Sequence, residues 1–184
     1  MTPSYRAPRL TLPVGTRDHS DGPLDAPLIL VEYGDYQCPY CGAAYPIVKR
    51  VQKRLGRKLR FVFRNFPLTN MHPDAQRAAE IAEAAGAQGK FWEMHDHLFE
   101  NQPSLGDPTF FLRYAGKLKL DTARLERELE GHLHLPRIEE DYMSGIRSGV
   151  NGTPTFFVNG VRYDGYPELE PLVAALEAAE KSSD

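Results

Sequence analysis

Strand patterns occur at two separate places in this 184-residue chain, and the long segment between them shows only helical patterns. Two apolar, β-branched runs lie near the beginning, at residues 28–33 and 59–66, and two shorter runs lie near the end, at 155–158 and 161–163. Residues 72–150 instead repeat alanine, leucine and aromatic side chains at helical spacing. The chain is therefore predicted to form a mixed α/β core whose two halves are separated by a helical insert.

The first half has the pattern of a β-α-β unit. Between its two strands, one helical face carries apolar residues at Ala44, Ile47, Val48, Val51 and Leu55. Since a helix connects them, the two strands are expected to lie parallel, with a right-handed crossover. In the last half, Asn159-Gly160 separates the two short runs, which strongly favours a β-hairpin, and a final helix follows.

The boundaries of the parts follow from the same patterns. Residues 1–26, rich in Pro, Gly, Asp and Arg, are predicted to form an N-terminal extended arm. Residues 27–68 and 151–180 are predicted to form the core, and residues 69–150 the insert. The insert is expected to contain about five helices, two of which begin after Asp107 and Asp121, because aspartate is a favoured N-cap residue.

Composition excludes several classes of protein. The net charge is −3, so no basic excess points to a nucleic-acid partner. The chain has no run of about 18 apolar residues, so no transmembrane helix is expected. The first residues lack the apolar stretch of a secretory signal, so the cytoplasm is the expected compartment. Two cysteines are too few for a scaffold held together by disulfide bonds. The protein is expected to be a monomer.

The two cysteines, Cys38 and Cys41, lie three positions apart at the expected start of the first core helix. The positive end of a helix dipole and its unpaired N–H groups favour a thiolate there. Cys38 lies closest to that end and is predicted to be the nucleophile and the more exposed sulfur. Cys41 is predicted to be more buried and to resolve the adduct. The implied reaction is thiol–disulfide exchange through a mixed disulfide.

Two other interpretations of the pair remain open from these residues. The pair could be half of a zinc site, although zinc needs about four ligands, no second Cys-x-x-Cys exists, and the histidines have no zinc spacing. Alternatively, the two thiols could be buried and inert, as free cysteine often is.

Glu32 is a charged residue inside the first apolar run, six positions before Cys38 and on the same strand face as Leu28 and Leu30. If it is buried, its pKa rises, and it becomes a proton acceptor for Cys41. The alternative is a solvated strand end, because charged side chains are seldom fully buried.

Four features together resemble the DsbA-like branch of the thioredoxin superfamily, in particular its single-domain, thioredoxin-4-like members. They are Cys38-Pro39-Tyr40-Cys41 after a strand, Gly152-Thr153-Pro154-Thr155 before another, the helical insert, and Glu32 at the place of the family's buried acid. The resemblance covers residues 25–180. Residues 10–24 also resemble the lead-in of such domains, including one that is attached to some sodium/proton antiporters.

The resemblance implies a thioredoxin fold with an all-helical insert between its β-α-β and β-β-α halves. It implies that Pro154 is cis and stands against Cys38, and that the Thr153 backbone pairs with an extended substrate. Pro39 and Tyr40 are expected to contact the substrate as well. The resemblance implies a redox-active Cys38–Cys41 disulfide and no other cofactor. The implied partners are protein or peptide thiols and disulfides, together with an unidentified redox partner.

Three functions remain open at this point. The first is a DsbA-like protein disulfide oxidoreductase. The second is a glutaredoxin-like reductase, because Cys-Pro-Tyr-Cys also occurs in glutaredoxins. The third is a redox-sensing module that binds a partner. The sequence leaves the direction of electron flow undetermined.

Overall fold

A five-stranded mixed sheet forms the centre of the protein, for which a computed structural model describes residues 7–181. The strands are β1 (His19–Asp21), β2 (Leu28–Gly34), β3 (Leu59–Asn65), β4 (Thr155–Val158) and β5 (Val161–Tyr163). Their order in the sheet is β1-β3-β2-β4-β5, so β2 lies in the middle. The part of the predicted arm before residue 7 lies outside the described residues.

The helices follow the predicted arrangement. The first core helix is α1 (Pro39–Leu55), and the last is α7 (Leu169–Lys181). Five helices lie between β3 and β4: α2 (Ala75–Gly86), α3 (Phe91–Glu100), α4 (Pro108–Lys117), α5 (Thr122–Glu130) and α6 (Leu135–Arg147). Asp107 accepts a hydrogen bond from the Thr109 amide, and Asp121 accepts one from the Arg124 amide, so both act as N-caps. The predicted fold class is confirmed.

Strand pairing brings two distant loops together. β2 and β3 are parallel, as the β-α-β pattern predicts. β4 runs antiparallel to β2, with Tyr33 opposite Thr155, and pairs with β5 in the hairpin predicted from Asn159-Gly160. Both turn residues have positive φ angles, 44° and 81°, as a tight hairpin of this kind requires. As a result, the loop that follows β2 and the loop that precedes β4 meet at one end of the sheet.

The two faces of the sheet have different covers. Leu28 and Leu30 of β2 belong to the larger apolar cluster, which includes α1, α7 and most of the insert. Val31 and Tyr33 point to the opposite face, where a smaller cluster includes Leu10 and Val14 of the arm. Burial on both faces explains why β2 and β3 consist almost entirely of buried residues.

Strand β1 is a difference from the sequence prediction, which expects four strands and an extended arm. His19–Asp21 pairs antiparallel with β3 and forms one edge of the sheet. Its residues are polar and few, so they lack the apolar alternation by which strands are recognised. The arm also buries Arg64 of β3, whose guanidinium binds the Asp18 carboxylate at 2.9 and 3.1 Å and the carbonyls of Leu12 and Pro13.

Candidate active site

Cys38 is the N-cap residue of α1, with extended backbone angles of φ −67° and ψ 122°. Its amide donates to the Asp35 carbonyl, and its carbonyl accepts from the Gly42 amide, which begins the helix. Pro39 occupies the first turn, where a missing N–H costs nothing. Both cysteines are free thiols. Cys38 is the more exposed of the two, although it is only 3% exposed against 0% for Cys41.

The two thiols have pKa values shifted in opposite directions. A hydrogen bond from the Cys41 thiol is the largest of the influences that lower the pKa of Cys38 to about 5. Burial opposes this change, while the Thr153 side chain and the backbone N–H groups of Cys41 and Tyr40 support it. Burial, together with the same hydrogen bond, raises the pKa of Cys41 well above its usual range. At neutral pH, Cys38 is therefore a thiolate and Cys41 a thiol.

The loop before β4 lies against Cys38. The Thr153–Pro154 peptide bond is cis, and Cys38 Sγ lies 3.4 Å from the Thr153 carbonyl oxygen. The Thr153 hydroxyl is buried and has no hydrogen bond of ordinary geometry within residues 7–181. The Thr153 side chain is also among the influences that lower the pKa of Cys38.

Glu32 is buried, with 2% of its surface exposed. Burial raises the pKa of Glu32 to about 8, and the negative charge of Cys38 adds to the rise. Its Oε1 atom has no hydrogen-bond partner in the described part of the chain. Its charge is also among the causes of the raised pKa of Cys41. Of the two alternatives that the sequence leaves open, the structure therefore has the buried one.

Pro39 and Tyr40 are exposed beside the buried sulfurs, and the Tyr40 side chain is among the most exposed apolar groups, at 74%. The sequence places Cys38, Cys41, Glu32, Pro39, Tyr40, Thr153 and Pro154 at one site, and the structure brings them to the same end of the sheet. In residues 7–181, no group of three or more His, Cys, Asp or Glu side chains is arranged to hold a metal ion.

Asp35, which lies in the loop between β2 and Cys38, is not singled out by the sequence. The Asp35 carboxylate is fully buried and accepts hydrogen bonds from the amides of Gln37 and Leu68 and from His72 Nδ1. Its own amide is 3.5 Å from Cys41 Sγ. The bond from the Gln37 amide forms a local Asx-turn, which the spacing of Asp35 two positions before Gln37 could have indicated. The bonds to Leu68 and His72 depend on packing against the insert, for which the sequence carries no local signal.

A thioredoxin fold with a helical insert, and with a Cys-x-x-Cys pair at the start of its first core helix, defines the architecture of thiol–disulfide oxidoreductases. The thioredoxin family model Thioredoxin_4 matches residues 16–178 of the chain. The chain therefore belongs to the thioredoxin family.

Solved structures agree with this assignment. The fold is similar to that of oxidised BdbD from Bacillus subtilis, with a TM-score of 0.81 and 24% identity, covering 96% of this chain and 97% of that one. It is also similar to a thioredoxin-like oxidoreductase from Silicibacter pomeroyi, with a TM-score of 0.75 and 29% identity, covering 91% and 94% of the two chains.

Curated relatives are much longer proteins. The chain is 49% identical over 163 residues to the Na⁺/H⁺ antiporter NhaA 1 of Salinispora arenicola, a match that covers 89% of this chain and 25% of the antiporter. It thus spans about a quarter of the length of the relatives that it matches. Among residues 7–181, no helix is both long and apolar enough to cross a membrane.

Proposed function

We propose that the protein exchanges disulfides with protein or peptide substrates, with Cys38 as the nucleophile and Cys41 as the resolving thiol. The observation that carries this proposal is the placement of the pair, with Cys38 as the N-cap residue of α1 beside the Thr153 carbonyl and Cys41 fully buried in the first turn. The pKa values are shifted accordingly, to about 5 for Cys38 and well above the usual range for Cys41. A thiolate is the reactive form of cysteine, so one sulfur is ready to attack, while its neighbour stays protonated until a mixed disulfide has formed.

Each direction of the reaction balances through one mixed disulfide. In reduction, the Cys38 thiolate attacks a substrate disulfide and releases one substrate sulfur as a thiolate. Cys41 then loses its proton and attacks Cys38 Sγ, which releases the second substrate thiolate and leaves the Cys38–Cys41 disulfide. In oxidation, a substrate thiolate attacks Cys38 Sγ of that disulfide, and Cys41 leaves as a thiolate. A second substrate thiolate then displaces Cys38 from the mixed disulfide.

Glu32 is proposed to move the proton of Cys41. With a pKa of about 8, Glu32 is mostly protonated at neutral pH, so it can give a proton to the Cys41 thiolate as the disulfide opens. In reduction, the ionised fraction of Glu32 accepts the proton that Cys41 must lose. A carboxyl group with an ordinary pKa would be ionised throughout and could serve only the second role.

The lowered pKa of Cys38 favours oxidation as the direction. The thiolate exists only in the dithiol form, so stabilising it makes the disulfide easier to reduce and therefore more oxidising. A pKa near 5 instead of the ordinary value of 9.0 stabilises the dithiol form at pH 7 by about 3 kcal/mol. That free energy corresponds to a reduction potential about 60 mV less negative.

The substrate is proposed to bind across the exposed Pro39-Tyr40 turn and the loop that contains Thr153. The loop lies directly beside Cys38, and the Thr153 backbone could pair with an extended peptide in the manner of an added strand. No bound cofactor is needed, because the Cys38–Cys41 pair itself holds the electrons. The cytoplasmic location and the monomeric state remain predictions.

The test is the oxidation of a dithiol peptide by the disulfide form of the protein, followed by chromatography of the peptide. We expect turnover with the wild type and none with Cys38→Ser. With a disulfide peptide as the substrate instead, the Cys38 thiolate of Cys41→Ala should attack the peptide disulfide and accumulate a mixed disulfide, because the resolving thiol is missing. A Cys38→Ser protein that retains turnover, or a wild type that exchanges with neither a dithiol peptide nor insulin, would contradict the proposal. Comparing these rates with the turnover of a mixed glutathione disulfide tests the glutaredoxin-like alternative.

A second candidate function is a redox-responsive module that regulates a larger protein. It is favoured by the antiporters, in which a segment 49% identical to this chain accounts for a quarter of the length. Under this alternative, oxidation of the Cys38–Cys41 pair changes the binding of a partner, and turnover is not required. A disulfide form that shows no peptide turnover, but binds a partner differently from the dithiol form, would favour the module.

A further inference from the structure

Gln102 links the helical insert to the backbone around Cys38. It begins the short 3₁₀ turn Gln102–Ser104, between α3 and α4. Its carboxamide nitrogen donates two hydrogen bonds, to the carbonyl of Tyr36 at 2.8 Å and to the carbonyl of Cys38 at 2.9 Å. A carboxamide nitrogen has two hydrogens, so both hydrogens of Gln102 Nε2 are donated to the segment that leads into α1.

Gly42 provides the space for this contact. A Cβ atom at Gly42 would lie 2.2 Å from Gln102 Oε1 and 2.8 Å from its Cδ, so a larger residue would push the carboxamide away. The Gly42 amide donates to the same Cys38 carbonyl at 3.0 Å. Glycine costs about 1 kcal/mol relative to alanine inside a helix. Its presence in the first turn of α1 is explained by the room that Gln102 needs.

The Cys38 carbonyl is therefore held from two sides, by the first bond of α1 and by the insert. Fixing this carbonyl fixes the peptide plane that follows Cys38, and with it the ψ angle of 122° that turns the chain into the helix. This angle determines where the sulfur lies relative to the amides of Tyr40 and Cys41. Loss of the Gln102 bonds would release the plane on one side and leave two carbonyls without this donor.

We propose that Gln102 is a positioning residue, through which the helical insert holds Cys38 in the orientation required for attack. The inference rests on the proposed role of Cys38 as the nucleophile. Other side-chain contacts also join this loop to the chain after β3, namely Asp35 with Leu68 and His72, Tyr36 with His95, and Gln37 with Asp74. Of these side-chain contacts with the chain after β3, that of Gln102 is the one that reaches the peptide group of Cys38 itself.

The experiment follows the ionisation of Cys38 in the dithiol protein by its thiolate absorbance near 240 nm as pH is varied. Gln102→Met keeps the length of the side chain but cannot donate. Gln88→Ala is the matched control, because the Gln88 carboxamide also makes two backbone hydrogen bonds, both to Asp121 at a distance from the site. We expect Gln102→Met to raise the midpoint by about one pH unit, the equivalent of one lost hydrogen bond, and Gln88→Ala to leave it unchanged.

An unchanged midpoint in Gln102→Met, or an equal shift in Gln88→Ala, would overturn the inference. If Gln102→Met does not fold by circular dichroism, Gly42→Ala decides the question from the side of α1, since its methyl group displaces the carboxamide. A raised midpoint in Gly42→Ala supports the inference, and an unchanged one refutes it. The titration needs no substrate. Failure of the proposed function would therefore appear separately, as absent turnover in a wild type with a normal Cys38 midpoint.

Discussion

Glu32→Gln is expected to stabilise the dithiol protein, by an amount that grows with pH. In the unfolded chain, Glu32 ionises at its ordinary pKa of 4.5, whereas in the folded protein it stays protonated up to about 8. Between these values, ionisation favours the unfolded chain, so stability falls as pH rises and the cost is constant above pH 8. Each pH unit in that window is worth about 1.4 kcal/mol, so the cost at pH 7 is about 3 kcal/mol.

Glutamine removes the ionisable group while keeping the shape of the side chain. The variant should therefore equal the wild type near pH 4.5, and should exceed it by about 3 kcal/mol at pH 7 and by about 5 kcal/mol above pH 8. Any constant cost of burying the carboxamide shifts all values equally, so the slope with pH is the decisive quantity. Urea unfolding at pH 5, 6, 7 and 8 in the presence of a reductant measures it.

Glu83→Gln is the matched control with the opposite sign. Burial would raise the pKa of Glu83, but its hydrogen bond to His19 and the nearby positive charges outweigh burial and lower it. An ionised Glu83 therefore stabilises the folded protein above pH 4.5, and this contribution disappears as pH falls through the lowered pKa. Its removal should destabilise at neutral pH by at least about 1 kcal/mol. A Glu32→Gln variant with no pH-dependent gain, or with a loss like that of Glu83→Gln, would refute the assigned burial and proton role.

Two further results are expected. Iodoacetamide should alkylate Cys38 at a rate that rises through pH 5 and then levels off, and it should not label Cys41 in the native protein; mass spectrometry across a pH series checks this, and a midpoint near 9 in the wild type would contradict it. Cys41→Ala should raise the midpoint, because the Cys41 hydrogen bond is the largest cause of the lowered pKa of Cys38. Arg64→Ala should destabilise the protein by about 3–5 kcal/mol, because it leaves the buried Asp18 carboxylate without its cation; a loss below about 1 kcal/mol by urea unfolding would show that the pair is solvated.

The sequence predicts the parts of the fold that depend on local pattern. Leu28–Tyr33, the helix after Cys38 and the Asn159-Gly160 turn are recognisable because apolar periodicity and turn chemistry act over a few residues. The five helices of the insert have the same basis. The two cysteines are equally visible, because their spacing at a helix start defines the chemistry.

What the sequence does not predict depends on contacts between distant segments. Arg64 looks like a solvent-facing residue of an alternating strand, and only the arm packed over β3 explains its burial. His19–Asp21 acquires strand structure from the backbone of β3 and not from its own side chains. The burial of Glu32 is likewise decided by the elements around it, since an acid in a strand can face either solvent or core.

The path of the N-terminal arm along the sheet has a consequence for truncation of the polypeptide. Arg9 bridges to Val161 at the β5 edge, and His19–Asp21 pairs with β3 at the opposite edge, so one segment occupies both margins of the sheet. Exposed strand margins invite pairing between molecules. A polypeptide that starts at residue 27 would still contain both cysteines, but it would open the two margins at once and uncover Val31 and Val62 between them. Self-association of such a shortened polypeptide is therefore expected, because both margins would be open to pairing with another molecule.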